Sequence, residues 1–119
     1  MATVLAFNIT DPNKINELNI LSFRLGFVFR EVPPDAQRGT IRDLLAGKKV
    51  SGKPGFRDEM MVMDGLSHPD LNFLLNELIR TGHPIGLKAV VTPTNRNWTA
   101  LMLHTQLVAE HELMKRSNK

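Results

Sequence analysis

The stretch Thr40-Ile41-Arg42-Asp43-Leu44-Leu45-Ala46-Gly47-Lys48-Lys49-Val50-Ser51-Gly52-Lys53-Pro54-Gly55 decides how the chain folds. Thr40 followed by Asp43 has the spacing of a helix-capping box, and Ile41, Leu44 and Leu45 can bury one face of a two-turn helix. Beyond Ala46, four breakers and three lysines leave no apolar period, so residues 47–58 read as a mobile basic loop. A crossover helix long enough to join two parallel strands therefore does not fit between residues 35 and 58.

On either side of this stretch lies a strand-helix-strand unit. In the first, Thr3 to Ile9 is β-branched and aromatic and reads as a buried strand. Asp11-Pro12 opens a helix, because the aspartate accepts from free amides and proline suits the first helical position. Ile15, Leu18, Leu21 and Leu25 keep helical spacing up to Gly26, a natural C-terminal cap. Phe27 to Val32 is the second strand, closed by Pro33-Pro34. In the second unit, Met60 to Met63 is an apolar strand ending at Asp64-Gly65. Ser67 and Asp70 cap a helix with the stripe Leu71, Leu74, Leu75, Leu78 and Ile79. Leu87 to Val91 is the fourth strand, and a last helix runs from near Asn97 to about Arg116. The expected architecture is a single α/β domain over 1–119, a ferredoxin-like split βαβ sheet with an additional C-terminal helix. The alternative is a four-stranded, fully parallel α/β sheet.

Bulk properties bound the function classes. The 119 residues suit one domain, and 42% apolar content supports a folded core. Cysteine is absent, which excludes disulfides, thiolate metal sites and a Cys nucleophile. Met1 to Ile9 lacks the basic region of a secretory signal, and no apolar run approaches the roughly 18 residues of a membrane span, so a cytoplasmic protein with no membrane partner is expected. The net charge of +3 is spread along the chain, so nucleic acid is not the expected partner. Weak RNA binding through residues 48–57 is the least favoured function, since Phe56 is the one aromatic near those lysines. Gly47 to Pro54 imitates a phosphate loop but places proline where a magnesium-binding hydroxyl is required.

The candidate site is the strand-to-helix turn. Thr92, Thr94, Asn95, Asn97 and Trp98 lie where the fourth strand gives way to the last helix. Asp64 and Gly65 should share that end of the sheet. Hydroxyls, amides and free backbone N–H groups at a helix start suit a small anion. The same residue types also cap helices and shape turns without any ligand. On the last helix, Trp98, Leu101, Met102, Val108, Ala109 and Leu113 form one apolar stripe, with Leu103, Leu107 and Met114 nearly opposite. One stripe can cover the sheet, which leaves Leu103, Leu107 and Met114 as the expected homodimer interface, unless the helix is wedged within its own domain. His104 and His111 stand two turns apart, too far to share a metal unaided, and Asp58 and Glu59 should face opposite ways, so no metal, cofactor or catalytic residue is expected.

Met61-Val62-Met63-Asp64-Gly65-Leu66, the leucine-rich helix, Leu87-Lys88-Ala89-Val90-Val91-Thr92-Pro93-Thr94-Asn95-Arg96-Asn97-Trp98-Thr99 and Glu110-His111-Glu112 together resemble a small bacterial family described as domain of unknown function 3783. The resemblance spans Phe56 to Glu112 and implies no activity. It also implies an acidic residue before the Glu-His pair, where this chain has Ala109. The reading that follows is a dimeric regulatory or small-ligand-binding module without catalysis. The alternative is an enzyme acting on a small anionic substrate at the Thr92–Trp98 turn, with Asp64 or Lys88 supplying charge.

Overall fold

A computed structural model describes residues 1–117. Four strands form one sheet: β1 (Thr3–Phe7), β2 (Val28–Val32), β3 (Met60–Asp64) and β4 (Leu87–Val90). The helices are α1 (Pro12–Leu25), α2 (Ile41–Leu45), α3 (His68–Arg80) and α4 (Ala100–Ser117). Short 3₁₀ turns at Pro34–Ala36 and Asn95–Asn97 follow β2 and β4.

Local signals set the helix limits as expected. Asp11 Oδ1 accepts from Asn13 N–H, and Gly26 ends α1 with a φ of 74°. Thr40 Oγ1 accepts from Asp43 N–H, and Ser67 Oγ accepts from Asp70 N–H. Helix α4 starts at Ala100 rather than near Asn97. Asn95–Asn97 closes into its own tight turn and Trp98 is extended (ψ 153°), so Thr99 becomes the residue whose hydroxyl accepts from Met102 N–H.

The sheet order is β2-β1-β3-β4. β1 pairs with β2 and β3 with β4 in parallel, while the central β1–β3 pair is antiparallel, Leu5 lying opposite Val62. The fully parallel alternative is therefore corrected to a mixed sheet. The split arrangement is not what this order gives either. It would set β3 between β1 and β2, whereas here each strand lies beside the partner its own helix connects it to. The short, glycine-rich 46–59 passage does turn the chain antiparallel, as its lack of a crossover helix requires.

The period-two alternation of each strand sorts side chains to two faces. Val4, Ala6, Met61 and Met63 pack under Leu18 and Leu21 of α1 and Leu74 and Leu78 of α3. Leu5, Phe7, Met60 and Val62 pack on the other face with Ile41 and Leu44 of α2, Leu103 of α4 and Phe56. Each of these leucines contributes about 1.5–3 kcal/mol by leaving water. The result is three layers, with the 47–58 loop adding no helix or strand but delivering Phe56 to the second core.

Candidate functional site

The Thr92–Trp98 turn is built chiefly by one side chain. Asn95 is buried, its Oδ1 accepts from Thr92 N–H at 2.8 Å, and its Nδ2 donates to the Val90 carbonyl at 3.1 Å. Thr92 Oγ1 returns the contact by accepting from Asn95 N–H at 3.0 Å. Arg96 N–H donates to Thr92 O and Trp98 N–H to Asn95 O. The amide of Asn95 and the hydroxyl of Thr92 are thus engaged in shaping the turn. Thr94 and Asn97 are exposed, and Trp98 is half-buried against the second core.

Asp64 and Gly65 do share this end of the sheet, because β3 and β4 run in parallel there and Val91 N–H donates to Met63 O. Asp64 meets the turn through Arg96, whose Nη2 stands 3.5 Å from Oδ1. Gly65 has a φ of 81°, and a Cβ there would lie 3.2 Å from the Ala2 backbone, so it serves the chain path. Beside the turn, Arg42, Val91, Thr92, Pro93 and Arg96 line an open cleft of about 360 Å³. Arg42 comes from α2, so the cleft draws on both halves of the chain. Lys88 does not join it: it sits opposite Met61 on β4 and Nζ donates to the Ile85 carbonyl.

The expected dimer residues separate. Leu103 is 2% exposed and belongs to the chain's own core, and Leu107 packs against that core. Leu103 is corrected from a docking residue to a core residue, while Leu107 is partly buried at the edge of that core. The reason is that α4 lies across the sheet with a wide arc beneath it, so Leu101 and Trp98 on one stripe and Leu103 and Leu107 on the other all reach the second core. Met114 remains exposed at 66%, and Met102 at 53%.

His104 is not a loose surface imidazole. Its ring stacks on Phe56 at 4.2 Å between centroids, and Nε2 lies 2.8 Å from Asp58 Oδ2. Glu59 turns the other way, to Lys14 on α1. His111, Glu112, Asp58 and Glu59 border a groove of about 390 Å³. Among the described residues, no group of three or more His, Asp and Glu side chains is placed to hold a metal.

The sequence reading missed two features. One is a buried polar clamp. Gln37 is fully buried, its Oε1 accepts from the Gly55 and Phe56 N–H groups at 2.8 and 2.9 Å, and its Nε2 donates to Asn8 Oδ1 at 3.0 Å. Asn8 Nδ2 then donates to the carbonyls of Phe56 and Asp58. Asn8 holds a φ of 59°, a left-handed conformation asparagine tolerates better than most residues. The other is Arg42. The basic loop contributes a separate cleft of about 560 Å³, bordered by Arg30, Lys48 and Lys49, in which Arg30 Nε is buried without a hydrogen-bond partner.

The fold and the turn define a mixed α/β protein whose most distinctive surface is a strand-to-helix junction. Residues 59–114 match the family described as Domain of unknown function (DUF3783). The match opens one residue before β3 and takes in α3, β4, the turn and most of α4. No curated protein and no solved structure matches the chain. No helix among the described residues is long and apolar enough to cross a membrane.

Proposed function

We propose that the chain is a cytoplasmic small-ligand-binding module without catalysis, and that its ligand is a small anion taken up at the Thr92–Arg96 turn. The observation that carries this reading is the division of labour in the turn. The Asn95 amide is bonded within the turn through both its oxygen and its nitrogen, and the Thr92 hydroxyl is positioned there by accepting from Asn95 N–H. The charged groups that line the cleft are the Arg42 and Arg96 side chains. Guanidinium groups recognise phosphate and carboxylate oxygens through paired N–H donors and do not themselves transfer protons near neutral pH. The cleft also lies beyond the carboxyl ends of the parallel β3–β4 pair, the place where open α/β sheets commonly receive ligands. Titrating the full-length protein with inorganic phosphate at low salt tests the reading. Amide resonances of Thr92 to Asn97 are expected to shift saturably, and their failure to move would overturn it.

Homodimerisation through α4 is retained on a revised set of contacts. Met102 and Met114 are exposed on that helix while Leu103 and Leu107 are not. Light scattering that gives the monomer mass at tens of micromolar would remove the dimer from the account.

A further inference from the structure

The two halves of the chain repeat one plan. Each runs strand, helix, parallel strand, 3₁₀ turn, helix, as β1-α1-β2-turn-α2 and β3-α3-β4-turn-α4. After the first strand of each half stands a residue with positive φ, Asn8 at 59° and Gly65 at 81°. Thr40 caps the helix that closes the first half, and Thr99 caps the helix that closes the second.

The halves also meet as equivalents. The central strands β1 and β3 pair antiparallel, and Thr40 faces Thr99 across an isolated antiparallel bridge. Around that bridge the bonds are reciprocal. Ile41 N–H donates to Trp98 O at 2.9 Å, and Ala100 N–H donates to Gly39 O at 3.0 Å. Gly39-Thr40-Ile41 and Trp98-Thr99-Ala100 occupy corresponding places, so each half gives the other the bond it receives. This reciprocity is what a two-fold axis through the seam would produce between two such half-units. The family match, confined to residues 59–114, covers one half-unit.

Correspondence across the seam identifies where the halves differ. The residue after Ile41 is Arg42, and the residue after Ala100 is Leu101. Arg42 lines the cleft beside Thr92 and Arg96 of the other half. Leu101 packs instead on the passage at Gly55, where an added Cβ would stand 2.9 Å from its Cδ1. Facing Thr92 and Arg96 across the seam is therefore a cation, whereas its counterpart is an aliphatic contact.

We infer that the chain is a fused pair of one half-unit and that its anion site is shared between the copies, Arg42 of the first and Arg96 of the second gripping a single phosphate-like dianion. This rests on the reading of the cleft given above and adds the residue that completes it. On binding, the ligand takes the place of Asp64 as the partner of Arg96, a replacement eased by the loose 3.5 Å contact.

The test uses the full-length protein and inorganic phosphate, with affinity read by calorimetry and location by amide shifts. Arg42→Leu installs the residue type found at the counterpart position. It is expected to weaken phosphate binding at least about tenfold, as loss of a charge-assisted contact implies. Arg42→Lys should recover part of that loss, since the charge returns without the paired geometry. Arg42 is exposed, so the urea midpoint should hold in both variants. Unchanged affinity in Arg42→Leu beside a large loss in Arg96→Leu would leave the cleft as a site but overturn its sharing. Absence of any phosphate shift at Thr92–Arg96 in the unaltered protein would overturn the functional reading and this inference together.

Discussion

Replacing Gln37 by leucine should be among the costliest single polar substitutions in this protein. The side chain is fully buried and holds three partners: the N–H groups of Gly55 and Phe56 and Asn8 Oδ1. Leucine fills much of the space but accepts and donates nothing. The Phe56 N–H is buried, and the Asn8 oxygen faces the vacated amide, so each loses its partner at a cost of about 1–3 kcal/mol. Gly55 is exposed, and water can replace part of what its N–H loses. The expected loss is about 3 kcal/mol, a large share of the roughly 5–15 kcal/mol typical of a domain. With a urea slope of about 1–3 kcal/mol per molar, the midpoint should fall by about 1–3 M. The single Trp98 lies against the second core and reports the transition by fluorescence. A midpoint within about 0.3 M of the parent would refute the clamp as a stabilising network, since such a small change is ordinary for a surface site. Gln37→Glu sharpens the test through pH. Its buried carboxyl should have a folded-state pKa raised above the unfolded value, because burial penalises the charge. Its stability relative to the parent is then best below the usual carboxylate range and lost as pH rises through the raised value.

Two further predictions probe α4. His104→Ala removes the stack on Phe56 and the contact with Asp58 and should cost about 1–2 kcal/mol in urea unfolding, with His104→Phe restoring the stacking part. Leu103→Ala should cost about 2–5 kcal/mol because it opens a cavity under the helix, whereas Met114→Ala should stay within about 0.5 kcal/mol of the parent monomer.

Elements set by short-range chemistry were legible in the sequence. Asp11 with Pro12, Thr40 with Asp43, Ser67 with Asp70 and Gly26 fix helix ends through contacts a few residues apart. Strand neighbours were not legible. Whether β2 stands beside β1 or β3 depends on which edges meet after collapse, and both orders keep the same alternating pattern in each strand. The turn at Thr92 was found from residue type alone, yet its chemistry was assigned to Thr92, Thr94, Asn95 and Asn97, of which Thr92 and Asn95 are bonded to each other within the turn. The cation that faces it, Arg42, is far away in sequence and carries no local mark. Gln37 was hidden for the same reason: its partners are Asn8 and the Gly55–Phe56 backbone. The stripes of α4 misled because a helix lying across a sheet buries a wider arc than one stripe, so Leu103 looked surplus when it was core.

The most direct measurement is a crystal structure of the full-length protein with inorganic phosphate bound at a concentration that saturates it in solution. The account predicts one phosphate in the cleft, within hydrogen-bonding reach of both Arg42 and Arg96, with the Asp64 contact to Arg96 broken. Phosphate held instead at Arg30, Lys48 and Lys49, with the Thr92–Arg96 cleft empty, would contradict it.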